Sequence, residues 1–310
     1  MLNCFKIILC ISFCVSCSSI NKRRNSPKPS EPGSEQTAKV ESLDDETNAA
    51  KPIVFQPKKL GVILGPGLIK TYSHLGVLES LERNQIPIDE IVGIGWGAIF
   101  AAGYAKEARS SGLKWQIYKV TEDQYPSKSL FGGSYEQLNL NKLDGVLKAL
   151  FASKDIGSFN IKFSCPYSME ESYSSRLVSS GLARSEIKRC LGGNAFYKAY
   201  RNSVWDPLQI DTLVKEMRKR GIERVLVVNV LSEDDYKSSS KVVANHSEKY
   251  LWGKTDRLMD KIGSEADYYL QVNTRSKDFS DFKESRDFER KGSSAMNSIV
   301  DRISQDVLGR

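Results

Sequence analysis

A chain of 310 residues, 40% hydrophobic and 27% charged, carries enough apolar surface for one large folded unit, which excludes a collagen-like or wholly disordered chain. Its formal net charge of +7 comes from scattered basic residues, so a solvated surface is the plainer reading and the composition gives no nucleic-acid signature. Four of the six cysteines (Cys4, Cys10, Cys14, Cys17) crowd the N-terminus; Cys165 and Cys190 fit no zinc spacing, and whether they pair is open.

Residues 1–16 hold a single Lys6 and then an apolar run, Ile7 to Val15. The run is too short to span a bilayer and suits the apolar stretch of a signal peptide. It stops at Val15-Ser16-Cys17, which resembles a bacterial lipobox, with Cys14 where that box usually has leucine. The resemblance implies cleavage before Cys17, lipidation of Cys17, and a place in the bacterial cell envelope, facing the periplasm or on the outer membrane. An ordinary secretory signal and an uncleaved anchor are the alternatives. Residues 17–56, rich in Ser, Pro, Glu, Lys and Asn, lack the apolar surface to offset the entropy of ordering, and read as a disordered tether.

From residue 57 to 310 the pattern is that of one α/β domain. An apolar run, Leu60 to Leu64, meets the turn Gly65-Pro66-Gly67; Leu75, Leu78 and Leu81 then recur at helical spacing. A strand from Glu90 to Val92 leads to Gly93-Ile94-Gly95-Trp96-Gly97 and a small-residue helix, Ala98 to Ala105. Further helices are expected over Ser111 to Tyr118 (with Leu113, Trp115 and Ile117 as its apolar positions), Asn141 to Phe151 and Leu182 to Leu191. A turn is expected at Phe131-Gly132-Gly133-Ser134, a strand over Ile161 to Pro166, and a hairpin arm over Ser174 to Gly181. Ile210 to Arg220 is a basic helix closed by Gly221, followed by strands Arg224 to Leu231 and Ala266 to Val272 and one helix within Phe282 to Leu308. Alternating strands and helices imply a mostly parallel sheet covered on both faces.

The stretch from Leu64 to Ala105 resembles the patatin-like phospholipases: a glycine-rich oxyanion loop with a basic residue, a helix, a strand and a G-x-S-x-G elbow. The resemblance implies that family's three-layer α/β fold. In the family a serine attacks the ester, an aspartate is its base, and loop N–H groups hold the oxyanion. Carried over, Gly65, Gly67, Leu68 and Lys70 form the oxyanion-loop remnant, and Gly93 and Gly97 are the elbow glycines. Gly95 stands where the family has its serine, and Pro66 and Leu68 stand where it has glycines. Asp206, in Trp205-Asp206-Pro207-Leu208, is the candidate dyad acid, reached by a one-residue shift; Asp211 ranks below it. Trp96 is expected to fill the space above the elbow, and His74 to pack near the loop.

The expected function is therefore that of an envelope-anchored, catalytically silent member of the fold, binding membrane lipid or an envelope protein. No metal, cofactor or nucleic acid is called for, and the oligomeric state is unspecified. The alternative is an active lipid acyl hydrolase of phospholipase A type whose nucleophile is unconventional, such as Thr71 or Ser73.

Overall fold

The computed structural model describes residues 55–126, 135–194, 196–237, 246–275, 279 and 281–310. The signal run, Cys17, the tether up to residue 54 and the Phe131-Gly132-Gly133-Ser134 turn lie outside the described residues. Among those described, no helix is long and apolar enough to cross a membrane.

Seven strands make one sheet: β1 (Leu60–Leu64), β2 (Glu90–Gly93), β3 (Lys162–Met169), β4 (Ser175–Val178), β5 (Ser203–Trp205), β6 (Arg224–Asn229) and β7 (Tyr268–Gln271). Their order is β4-β3-β2-β1-β6-β7, with β5 also paired to β3. The four pairings through the centre, β3–β2–β1–β6–β7, are all parallel, with Val62 opposite both Ile91 and Leu226. Such strands are buried on both faces, which is why β1 and β6 read as continuous apolar runs. The far half of β3 leaves this parallel frame and pairs antiparallel with β4 and β5.

Helices α1 (Tyr72–Arg83), α2 (Gly97–Glu107), α3 (Ser110–Ile117) and α4 (Asp144–Phe151) follow the first two strands, then come the single-turn α5 (Ala183–Glu186) and α6 (Leu213–Lys219). Helices α7 (His246–Glu265), α8 (Ser285–Asn297) and α9 (Val300–Leu308) complete the chain. Helix α2 packs against β2, and α7 against β6 and β7. Helix α8 lies across α1 almost backbone to backbone: a Cβ on Gly76 would stand 2.0 Å from the Glu289 carbonyl oxygen, and one on Gly292 1.9 Å from that of Ser73. The fold is thus the mostly parallel, helix-covered α/β sheet that the sequence implies.

Of the three apolar positions of α3, Leu113 and Ile117 are buried and Trp115 is 68% exposed. Several local expectations need correction. Leu182 to Leu191 holds one α-turn and then a 3-10 turn, Ile187–Cys190, and the basic helix starts only at Leu213 after a 3-10 segment, Pro207–Thr212. The C-terminal helix is two, broken where Ser298 Oγ bonds back to the Ala295 carbonyl at 2.7 Å. Strand β5 and the 20-residue α7 had no counterpart in the sequence reading. Cys165 on β3 and Cys190 are joined as a disulfide, their Cα atoms 6.1 Å apart.

Candidate active site

Strands β1 and β2 lie side by side and parallel, so the turns that follow them emerge together at the carboxyl ends of the strands, where open α/β sheets hold ligands. The Ile94 N–H donates to the Leu64 carbonyl at 2.9 Å and ties the two turns together. Between β2 and α2 the chain reverses within five residues, with Gly95 at the apex in the left-handed region (φ +52°). The Gly97 and Ala98 N–H groups close the bend onto the carbonyls of Ile94 and Gly95, 2.9 Å each. A Cβ on Gly97 would lie 2.6 Å from the Leu64 carbonyl oxygen, and one on Gly93 2.3 Å from the Ala98 Cα, so helix and strand meet through bare backbone. This is the geometry of a strand-to-helix elbow.

The apex is closed over. A Cβ at Gly95 would stand 3.3 Å from the Pro66 Cβ and 3.6 Å from the Trp205 ring, and all three residues are buried. Trp205 stacks on Trp252 (5.1 Å between centroids), which stacks on Phe279 (4.8 Å). Trp96 does not cover the elbow, as was expected of it. Already helical at φ −61° as the residue before α2, it turns away to the rings of Tyr125 (4.9 Å) and Tyr197 (5.7 Å). The cap comes instead from Trp205, at the end of a strand remote in sequence.

The turn after β1 is held from beneath by side chains. Pro66 has no N–H to offer, and the N–H groups of Ile69 and Lys70 are committed to the carbonyls of Phe279 (3.2 Å) and Gly67 (2.9 Å). Leu68 sits in the left-handed region (φ +47°), a conformation that disfavours any residue with a Cβ. The Lys70 ammonium is fully buried. It bonds Asp235 at 2.5 Å and the Thr274 carbonyl at 3.3 Å, and lies over the Phe279 ring. Burial pushes the Asp235 carboxyl up, and Lys70 beside it offsets only part of that rise. His74 donates from Nε2 to the Gly65 carbonyl at 2.7 Å, and burial drives its pKa down to about 4 despite that bond. Thr71 Oγ1 donates to the Leu68 carbonyl, and Ser73 Oγ is buried with no partner among the described residues.

Asp206 directly follows Trp205 but faces the β3–β4 hairpin. It accepts from Ser168 Oγ (2.5 Å), Ser175 Oγ (2.6 Å) and the Leu208 N–H (2.9 Å). Burial pushes its carboxyl up, but these donors, with Gln209, outweigh burial and hold it below the usual carboxylate range. Asp211 is paired with Lys261, away from both turns. On the basic helix Arg218 is tied to Asp267, Lys219 to Glu216, and Arg220 bidentately to Glu90. Among the described residues no group of three His, Cys, Asp or Glu side chains is placed to hold a metal ion.

Residues 62–248 match the sequence model of the family described as patatin-like phospholipase. The chain belongs to the patatin-like phospholipase family. Among curated proteins it is similar to Lysophospholipase NTE1 of Candida albicans, 28% identical over 206 residues, covering 59% of this chain and 14% of that protein. It is also similar to the protein of the same name from Lodderomyces elongisporus, 30% identical over 200 residues and covering 13% of it. The chain thus spans only 13–14% of the length of these relatives. Among solved structures it resembles the type III effector protein ExoU, with a TM-score of 0.42 and 11% identity over 80% of this chain and 53% of that one.

The patatin-like match takes in both turns and Asp206 but stops short of α8 and α9. Asp235, Trp205, Trp252 and Phe279, which surround the two turns, were not singled out in the sequence. Only Asp235 carried a legible signal: Ser232 followed three residues later by a carboxylate is a capping pattern, and a lysine in an apolar loop needs a partner.

Proposed function

We propose that this patatin-like protein does not hydrolyse esters and acts as a binding member of its family, exported to the bacterial cell envelope and anchored there through Cys17. One observation carries the catalytic half of the proposal: at the elbow apex stands Gly95, without a side chain, under a buried lid of Pro66 and Trp205. Covalent acyl transfer needs an attacking atom, a base within reach and donors aimed at the oxyanion. Gly95 supplies no atom, and Asp206 is engaged by four donors. Pro66 and the committed N–H groups of Ile69 and Lys70 thin out the donor set. The Cys165–Cys190 disulfide supports export, since such bonds persist in oxidising compartments. The apolar run before Cys17 supports the anchor.

The test is hydrolysis of short- and long-chain esters and of lysophospholipid by the purified chain, alongside labelling with a fluorophosphonate probe. No turnover above buffer and no label are expected; either one overturns the proposal. A second reading rests on Ser175, an exposed hydroxyl 2.6 Å from Asp206. It makes the protein a hydrolase with a displaced serine–aspartate pair. Probe label mapped to Ser175, lost with Asp206→Asn, would decide for it; the low basicity of Asp206 and the open hairpin around Ser175 weigh against it.

A further inference from the structure

A surface groove of about 850 Å³ lies between α3 and the start of α8. Its floor is aromatic and its rim is cationic. Trp115 is 68% exposed, while the other three tryptophans, Trp96, Trp205 and Trp252, are all buried. The Lys119 ammonium stands 4.5 Å from the Trp115 ring centroid, and the Arg286 guanidinium 5.8 Å from that of Tyr118. Neither cation is ion-paired with any described residue. Lys114 and Arg290 also line the groove; Glu289, the one carboxylate among the described lining residues, accepts from Lys114 at 2.6 Å and from the Tyr118 hydroxyl.

We propose that this groove, built on Trp115, Lys119 and Arg286, is where the protein lies against an anionic phospholipid surface. A tryptophan has an apolar body and a polar N–H, which suits the boundary between headgroups and acyl chains. Arginine and lysine beside it meet phosphate and carboxylate headgroups, guanidinium in a two-pronged manner. Charge complementarity selects this occupant over a neutral lipid or an apolar peptide. A protein partner is disfavoured by the size of the apolar element: one exposed ring among charges is far less than the roughly 1,200 Å² of a stable protein interface. For a membrane, one inserted ring plus a few cations is enough, each cation near an anionic surface tightening binding about fivefold.

The groove also communicates with the interior. Tyr118 packs on Tyr72 at 5.4 Å, Tyr72 and Tyr125 share a hydrogen bond of 3.2 Å, and Tyr125 stacks on Trp96 beside the elbow. A continuous aromatic path thus joins the proposed membrane face to Trp96, which turns away from the closed apex. The inference stands whether or not the elbow is catalytic, because it uses none of the elbow's residues.

The experiment is co-sedimentation of the full chain with vesicles of pure phosphatidylcholine or of phosphatidylcholine with about a third phosphatidylserine, comparing wild type with Lys119→Glu/Arg286→Glu and with Lys119→Gln/Arg286→Gln. The N-terminus is the same in every protein, so any binding through it cancels between wild type and variants. The wild type should bind anionic vesicles at least about 25-fold tighter than neutral ones, the Gln pair should lose about 25-fold of that advantage, and the Glu pair should lose more. Tryptophan emission should shift to the blue on anionic vesicles and be quenched by brominated acyl chains, and both signals should vanish in Trp115→Phe. Unchanged serine-lipid preference in both pairs, or a blue shift surviving Trp115→Phe, would overturn the proposal. So would salt-sensitive binding to polyglutamate with no binding to vesicles, which would assign the groove to an acidic protein. Ester assays are a separate readout, so failure here and failure of the non-hydrolytic reading are told apart.

Discussion

The turns after β1 and β2 leave neighbouring strands at the same end of the sheet, yet they are fixed by opposite means. After β2 the constraint is backbone against backbone: Gly93 and Gly97 touch main-chain atoms of α2 and of the first turn, with no room for a methyl group. After β1 the constraint is side-chain chemistry: Lys70 reaches Asp235, His74 reaches the Gly65 carbonyl, and Leu68 is held left-handed by its burial. A shape can therefore persist without the group that would make it reactive, because close packing and chemistry make separate demands on the same few residues.

If that contrast is right, the largest effect belongs to Gly97→Ala. The added Cβ meets carbonyl oxygens of Leu64 and Gly65 at 2.6 and 2.7 Å, atoms that cannot step aside without breaking the sheet. Urea unfolding should show a loss of about 4 kcal/mol or more, or a chain that does not fold. A cost below about 1 kcal/mol would mean that the elbow is not held by backbone contact.

On the other turn, Lys70→Met should cost about 3–4 kcal/mol, because it takes the Lys70 ammonium away from the buried Asp235 carboxylate. The double change Lys70→Met/Asp235→Leu should recover most of it, which denaturation midpoints can check. Equal losses in single and double variants would show that the pair does not act as a unit.

A pH series probes the same turn more gently. His74 has its pKa lowered from 6.5 to about 4 by burial, so in this window the unfolded chain binds the proton and the folded one does not. Stability from this residue is therefore complete above about pH 6.5 and falls as the pH drops towards 4, by on the order of 3 kcal/mol. Asp235 and Asp256, both pushed up by burial, work in the opposite direction. The contribution of His74 is thus read as the difference between wild type and His74→Gln. A difference flat between pH 7 and 4 would contradict the assigned burial.

The sequence made the parallel sheet legible through its apolar runs and the elbow through the spacing of three glycines, since both signals are local. What surrounds the elbow was not legible. Trp205, Trp252 and Phe279 arrive from three distant segments, and nothing in the pattern around Gly95 says that Trp205 will cover it. Helical spacing alone does not tell which of Leu113, Trp115 and Ile117 reaches the core, and it is Trp115 that stays outside. Helix α7 was missed because its sequence, HSEKYLWGKTDRLMDKIGSE, has few apolar residues to set a period.

The smallest change in stability, and the sharpest question, attaches to Gly95→Ser. The left-handed apex charges a residue with a Cβ about 1–2 kcal/mol, and the 3.3 Å approach to Pro66 is tolerable, so the variant should fold. Its hydroxyl would nevertheless sit under Trp205, with Asp206 engaged elsewhere and a proline in the loop that should donate. Loss of one oxyanion donor alone costs about 10²–10³ in turnover. Ester hydrolysis by Gly95→Ser should therefore match that of Gly95→Ala. Adding Trp205→Ala separates access from chemistry: opening the lid should still give no turnover, because neither base nor donors are restored. Robust hydrolysis in that double variant, absent from Gly95→Ser alone, would mean that the aromatic lid, and not the altered loop, is what silences the elbow.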